Sequence, residues 1–400
     1  MTQLSEKTIA VVKATAPVLA VHGEAITRAM YARLFQDPAI ASLFNHANQA
    51  TGAQQKALAG AVLAYAQNID NLGVLAGAVE RIAQKHVAYH ILPQHYDAVA
   101  TALLGALVDV LGEAANEDIL GAWGEAYWFL ADILKGREAS IRDAAAEETG
   151  GWIGWRAFVV EKKIRESDII TSFILRPRDG GPVVAHRPGQ YLTFQFDTPT
   201  EKGVKRNYSI SAAPNGESYR ISVKREADGF GSVFLHDVVA EGDIVEATPP
   251  AGDFHLAATD RPVVLLSGGV GLTPMVAMLE AIAKDHPELE AHFVHGALNS
   301  RVHAMADNVR KLADKHGRTR VATFYSAPLP SDAVGVTHDV EGLIDVAWLK
   351  ANTPFDAADF YLCGPRPFLR ALVSGLAAAG VSPDRIKYEF FGPTDELLAA

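Results

Sequence analysis

Four polar side chains stand where a helical pattern calls for apolar ones. His86 follows Leu75, Val79 and Ile82 at steps of four, three and four, so all of them share one helical face. Gln54 shares a face with Leu58, Ala61 and Tyr65. Tyr96 shares one with Val99, Leu103 and Val110, and Glu138 with Leu130, Leu134 and Ile141. Taken alone, such a histidine reads most simply as a buried residue with a hydrogen-bond partner, because histidine is only intermediate in its burial. The same pattern on neighbouring helices says more. Buried polar groups must be satisfied, and together these four predict a pocket built around a bound group.

A different chemistry is written in the C-terminal half. Gly269-Val270-Gly271-Leu272-Thr273-Pro274 follows the apolar run Val263-Val264-Leu265-Leu266 and precedes a helix predicted over 275–283. Glycines there let the backbone approach a pyrophosphate, and a helix N-terminus offers free N–H groups and the positive end of a dipole. A Gly-x-Gly run alone is weak, since many are only tight turns; the strand–turn–helix setting strengthens it. Pro274 stands where the dehydrogenase fingerprint has its third glycine, and proline is sterically sound at a helix start. A second piece is Lys205-Arg206-Asn207-Tyr208-Ser209-Ile210-Ser211, preceded by Arg187-Pro188-Gly189-Gln190-Tyr191. Arginine beside tyrosine and serine on a strand can hold phosphate while the ring covers a flat ligand. By itself the segment also reads as a strand with a surface charge. A third piece is Tyr361-Leu362-Cys363-Gly364-Pro365, and a fourth is Tyr388-Glu389-Phe390-Phe391-Gly392-Pro393.

The elements that must position these groups change character along the chain. Residues up to Glu148 are rich in Ala and Leu and read almost wholly as helices, punctuated by Pro38, Pro93 and Gly112. Gly150-Gly151-Trp152-Ile153-Gly154-Trp155 marks a hinge. Short alternating runs follow at 156–160, 171–176, 191–196 and 219–224, separated by turn residues, as in a small barrel or sandwich. From about Asp260, buried strands at 263–266, 292–295 and 360–362 alternate with helices, which argues for a parallel sheet. The expected architecture is an all-α domain (1–148), an antiparallel β-barrel (152–259) and an α/β domain with a parallel sheet (260–400).

Composition narrows the function further. Four hundred residues exceed one ordinary core. A net charge of -11 argues against nucleic acid as the main partner. Cys363 is the single cysteine, which excludes internal disulfides, a CxxC redox pair, a Cys-ligated iron–sulfur cluster and covalent CxxCH haem attachment. The first residues lack a basic start followed by an apolar core, so no secretory signal is expected. The uncharged stretch from Pro262 to Leu279 is long enough to suggest a membrane span, but its glycines and Pro274 break it into strand, turn and helix. The expected compartment is the cytoplasm, without stable membrane insertion, and the expected state is a monomer.

In their order, the four C-terminal motifs resemble the ferredoxin–NADP reductase superfamily, a flavin barrel followed by a nicotinamide domain. That resemblance implies that Tyr191, Arg206, Asn207, Tyr208 and Ser209 line an FAD site and that Ser232 reaches the pyrophosphate. It implies that Gly269, Val270, Gly271, Leu272, Thr273 and Pro274, with Cys363, Gly364 and Pro365, hold NAD(P)H. Glu389, Phe390, Phe391, Gly392 and Pro393 would lie beside the flavin where nicotinamide stacks. No acid ends the strand at His295-Gly296-Ala297, and Arg301 is close. An arginine there could accept the extra phosphate of NADP, which favours NADPH and leaves NADH open. Asn207 departs from the Arg-Gln-Tyr-Ser form usual in the superfamily.

With a reductase attached, the helical domain resembles a globin, and the whole chain resembles the flavohaemoglobins. The resemblance implies non-covalent haem b with His86 as the iron ligand beside Lys85. It places Tyr31 and Gln54 on the distal side, Phe44 and Leu58 against the haem, and Tyr96 and Glu138 next to His86. It further implies a nitric oxide dioxygenase, which oxidises nitric oxide to nitrate with O2 using electrons passed from NAD(P)H through FAD. A haem reductase acting on nitric oxide without oxygen, or on alkyl or lipid hydroperoxides admitted to the distal pocket, is the alternative enzyme reading. A non-catalytic oxygen store or sensor is the third; the fused reductase argues against storage.

Overall fold

Ser5 opens the first helix by accepting a hydrogen bond from the Thr8 N–H. That helix, α1 (Glu6–Leu34), buries Val12, Leu19, Ile26, Met30 and Leu34. The structure is a computed structural model and describes residues 4–44, 52–198 and 202–392. Pro393 of the C-terminal motif lies outside the described residues. Packing divides the chain into a helical unit, which holds the residues up to Ala145, and a second unit formed by Ala146–Phe391.

In the helical unit α1 is followed by α2 (Pro38–Ala41), α3 (Ala53–Gln67), α4 (Ala76–Ala88), α5 (His95–Leu111) and α6 (Glu117–Glu147). α1 packs on α3 and α5. By length and hydropathy alone α1 could cross a membrane; Val12, Leu19, Ile26, Met30 and Leu34 belong to a core with Tyr65, Leu103, Leu107 and Trp123, while Val18 and Val21 are exposed. A second core gathers Ala83, Tyr96, Ala131 and Leu134. Tyr127 and Leu130 pack against both.

The second unit begins with six antiparallel strands: β1 (Arg156–Arg165), β2 (Ile170–Pro177), β3 (Tyr191–Phe196), β4 (Val204–Ser209), β5 (Tyr219–Lys224) and β6 (Ile244–Ala247). Their order is β4-β3-β6-β1-β2-β5. A bridge between Ile210, just past β4, and Ile221 of β5 joins the two ends of that order, as in a barrel. Phe158, Phe173, Leu192, Phe194 and Ile221 fill the interior. A four-residue helix, α7 (Phe230–Val233), lies between β5 and β6.

The remaining strands are β7 (Val263–Gly268), β8 (Ala291–Ala297), β9 (Thr319–Tyr325), β10 (Val340–Glu341), β11 (Asp359–Cys363) and β12 (Ile386–Glu389). They form a wholly parallel sheet in the order β10-β9-β8-β7-β11-β12. All six residues of β7 are buried, as expected of a parallel strand covered on both faces. The chain runs outward from β7 through β8 and β9, then returns to β11 on the other side of β7. That reversal opens a crevice at the C-terminal ends of β7 and β11. Four helices accompany the sheet: α8 (Leu272–Asp285), α9 (Ala306–His316), α10 (Val346–Asn352) and α11 (Arg366–Ala378). The sheet confirms the expected order of α, antiparallel β and α/β architecture. The helix expected over 275–283 starts earlier, at Leu272. Pro274 fits in its first turn because the first four N–H groups of a helix have no partner within it.

Candidate functional site

His86 sits in the last turn of α4; two residues past that helix His90 takes the left-handed region (φ 56°), and the Ile91 N–H returns to the His86 carbonyl. The fully buried face of α4 is Ala83, Gln84, Val87 and Ala88. The stripe of Leu75, Val79, Ile82 and His86 is only half-buried, and Leu75 belongs to a 3-10 turn before the helix. The side chains picked out by helical spacing therefore do not make the closest protein packing of this helix. Lys85 is exposed.

Glu138 is completely buried. Its Oε1 accepts from His86 Nδ1 at 2.7 Å and from the Tyr96 hydroxyl. Tyr96 Oη also lies 3.0 Å from His86 Nδ1. Burial first, and the bond to Glu138 second, push the Tyr96 hydroxyl far above its ordinary pKa, so it stays a donor. With Nδ1 facing a carboxylate, the other ring nitrogen, Nε2, makes no hydrogen bond among the described residues. A buried-carboxylate partner on Nδ1 and an open Nε2 are what a metal-ligating imidazole requires, so the residues fit a haem iron at Nε2. Arg142, one turn beyond Glu138, reaches its Oε2 at 3.4 Å and also donates to the Ile91 carbonyl. Sequence reasoning missed Arg142, although its i+4 spacing from Glu138 was a usable signal.

Tyr31 is buried in the first helical core, with its ring 5.6 Å from that of Phe35 and 5.5 Å from that of Phe44. Leu58 packs against the same core. Gln54 lies half-buried in the first turn of α3. The helical unit thus gathers Tyr31, Phe44 and Leu58 in one cluster and His86, Tyr96 and Glu138 in another.

In the barrel, Tyr191 and Ser209 face each other across β3 and β4, as do Leu192 with Tyr208 and Phe194 with Arg206. Ser209 Oγ is buried without a partner among the described residues, which fits a polar group of a bound flavin. Burial pushes the Tyr208 hydroxyl well above its usual range. Gly231 packs against Arg206 and Tyr208: a Cβ there would stand 2.8 Å from Arg206 Cγ and 3.2 Å from Tyr208 Oη. Ser232, expected to reach pyrophosphate, has its hydroxyl engaged within its own loop by Glu226 N and Gly229 O. Asn207 accepts from Thr193 across the strands and points to solvent.

At the reversal of the parallel sheet, the loops after β7 and β11 touch through backbone. A Cβ on Gly271 would lie 2.1 Å from the Cys363 carbonyl oxygen and 2.7 Å from Gly364 N. Gly269 has φ +55° and open space where its Cβ would be. These features form a backbone cradle suited to a pyrophosphate. Leu272, Thr273 and Pro274 are buried, and the Thr273 hydroxyl bonds the Val270 carbonyl. Val270 is half-buried and Pro365 precedes α11 as its N-cap. Cys363 is fully buried beside Glu389 on β12, and burial raises its thiol well above the usual range. The Phe390 ring carries Arg366 at 5.6 Å; Phe391 is exposed and Gly392 half-buried. Arg301, offered as a phosphate reader, instead binds Asp168 Oδ2 at 2.8 Å, and Asp168 N binds the Arg301 carbonyl. Glu280 on α8 ties the nucleotide layer to the barrel by an ion pair with Arg220 at 2.8 Å and by accepting from Ala213 N.

A helical unit with this histidine, joined to a barrel and a parallel nucleotide layer, defines an oxidoreductase. Residues 28–134 match the globin family model and residues 265–374 the oxidoreductase NAD-binding domain model. The chain is 57% identical over 398 residues to the flavohemoprotein of Xylella fastidiosa (strain 9a5c), covering 99% of each chain. It is 47% identical over 406 residues to that of Rhodopirellula baltica, covering 99% of this chain and 100% of the other. The crystal structure of flavohemoglobin from Malassezia yamatoensis with bound FAD and heme is similar with a TM-score of 0.87 and 26% identity, covering 98% of this chain and 100% of that one. The flavohem-like FAD/NAD binding domain of nitric oxide dioxygenase from Vibrio cholerae O1 biovar El Tor is similar with a TM-score of 0.55 and 38% identity, covering 60% of this chain and 99% of that one. The chain belongs to the flavohemoprotein family.

Proposed function

We propose that this oxidoreductase is a nitric oxide dioxygenase that turns nitric oxide and O2 into nitrate with electrons from NAD(P)H. One hydride supplies electrons for two nitric oxide and two oxygen molecules, and two nitrates and one proton result. Bound FAD would split the hydride pair into single electrons, and bound haem would supply the iron at which the two gases meet. The relatedness to flavohemoproteins over the whole chain supports this reading.

The observation that carries it is the 2.7 Å contact between His86 Nδ1 and the buried Glu138 carboxylate. The contact would fix the tautomer of the imidazole, leave Nε2 to hold a haem iron and make the ring a stronger electron donor than a carbonyl partner would. Tyr96 donates to the same carboxylate oxygen and helps to keep it in place. Tyr31, buried beside Phe35 and Phe44, would supply a donor in a water-poor setting, with Gln54 as a second. In the reductase, Tyr208 and Ser209 would hold the flavin, and the cradle of Gly269, Gly271 and Gly364 the nicotinamide nucleotide.

The test is nitric oxide consumption by the haem- and FAD-loaded protein in air, with NADH or NADPH and nitrate as the assayed product. The expected result is rapid loss coupled to nicotinamide oxidation, abolished in His86→Ala. Turnover that persists without oxygen, or with hydroperoxides only, would replace this reading with the reductase one.

A further inference from the structure

Glu138 is the anion of the proximal cluster, and its burial is complete. A carboxylate taken out of water needs donors on all sides and a countercharge close by. His86 and Tyr96 both converge on Oε1, which leaves Oε2 to be satisfied from elsewhere. Arg142 does this from the next turn of α6, at 3.4 Å, and its side chain is only 11% exposed. Among the described residues it is the one arginine or lysine in contact with the carboxylate. The same Nη2 donates to the Ile91 carbonyl, and Ile91 N bonds the carbonyl of His86 itself. One guanidinium thus holds the far oxygen of Glu138 and the turn that ends the helix of His86. Its Nε is buried and makes no bond among the described residues, so the side chain is anchored through its tip.

We propose that Arg142 is a positioning residue for the proximal histidine. It fixes the rotamer of Glu138 so that Oε1 faces His86 Nδ1, and it fixes the turn after His86 so that the ring meets that oxygen. The inference rests on His86 as the iron ligand. A planar guanidinium suits this task because one rigid head can reach a carboxylate and a carbonyl together. Without it, the carboxylate is free to turn, and the hydrogen bond that makes His86 electron-rich lengthens.

The test is resonance Raman of the ferrous, haem-loaded full chain, read at the iron–histidine stretch. Arg142→Met is expected to move the band most of the way to the lower frequency of Glu138→Gln, and to add nothing in the Glu138→Gln background. Arg142→Lys is expected to restore part of the shift. A band unmoved by Arg142→Met, or moved equally with and without Glu138, overturns the proposal. If Arg142→Met does not retain haem, Arg142→Gln is read by the same two criteria, since it keeps a donor for Ile91. His86→Gly separates the two layers of the argument: a band that survives it refutes His86 as the ligand, whatever Arg142 does. Nitric oxide turnover is expected to fall about tenfold in Arg142→Met, in line with partners of metal ligands elsewhere.

Discussion

The Glu138 carboxylate, with no exposed surface, accepts from His86 Nδ1 at 2.7 Å. Removing the charge while keeping the shape isolates what that contact does. Glu138→Gln should leave the fold intact, lower the iron–histidine stretching frequency and reduce turnover by roughly 10- to 100-fold. Tyr96→Phe removes one of the donors to the same oxygen and leaves the carboxylate underbonded, at a cost of about 1–3 kcal/mol in stability of the helical unit. Its effect on the stretching frequency should be smaller than that of Glu138→Gln. Equal effects would mean that the carboxylate acts only as packing.

The glycines of the nucleotide cradle differ in what they permit. A methyl on Gly271 would meet the backbone of Cys363 and Gly364, which cannot swing away as a side chain could. Gly271→Ala should therefore separate the two loops and slow flavin reduction by NADH at least tenfold, in keeping with overpacking costs of about 1–3 kcal/mol. Gly269→Ala meets open space and carries only the strain of positive φ, about 1 kcal/mol. Stopped-flow reduction by NADH, set against photoreduction of the same flavin, checks both. If Gly269→Ala proves the more damaging, ligand contact at Gly269 outweighs the packing argument.

Histidines buried without charge partners should make the second unit acid-sensitive. His186 gives Nε2 to the Ala212 carbonyl, and burial pushes its pKa down to about 4. Burial, then the charge of His303, likewise holds His295 well below its ordinary value. The unfolded chain takes up the His186 proton near pH 6.5, but the folded chain resists until about pH 4. Stability from His186 is therefore complete above about pH 6.5 and is lost as pH falls toward 4, and His295 acts in the same direction. His186 alone should account for roughly 2–3 kcal/mol by pH 4.5. The urea midpoint of flavin release should fall between pH 7 and 4.5, with a shallower slope in His186→Gln. An unchanged slope would place the acid sensitivity elsewhere.

What could be read from the sequence, and what could not, follows from the range of the forces. Glu138 and Tyr96 announce themselves because a polar residue within an apolar stripe of its own helix is a local signal. His86 did so through a stripe that is only half-buried: Val79 and Ile82 pack at the edge of the second helical core and Leu75 at the edge of the first. Arg142 stayed hidden: a charged residue near a helix end reads as surface, and its i+4 spacing from Glu138 does not by itself say that both side chains are buried. Tyr31 was weak in the sequence because Phe44, one of its ring partners, comes from beyond the end of α1. The two sheets were legible because alternating and continuous apolar runs differ in kind. The Glu280 pair with Arg220 spans 60 residues and left no local trace. Ser232 was expected at a phosphate; its hydroxyl bonds within its own loop, a contact that no linear pattern records.

We expect the choice between NADH and NADPH to turn on Arg301. Its position past β8 favours the extra phosphate of NADP when read from sequence alone. In the fold its guanidinium is held by Asp168 at 2.8 Å, and the two residues are further tied through backbone. Arg301 first, and Arg165 second, hold the Asp168 carboxyl below the usual range, so the aspartate remains an anion at neutral pH. A phosphate approaching Arg301 must displace that carboxylate or be repelled by it. NADH carries no such group and is unaffected. The expected preference is therefore NADH, with NADPH handicapped chiefly in KM. Asp168→Asn should lower the KM for NADPH several-fold and leave that for NADH unchanged. Arg301→Ala should then erase the gain in the double variant. Because both partners are exposed, the effect should shrink as salt is raised. A KM for NADPH that is indifferent to Asp168, measured at low ionic strength, would remove the pair from nucleotide choice.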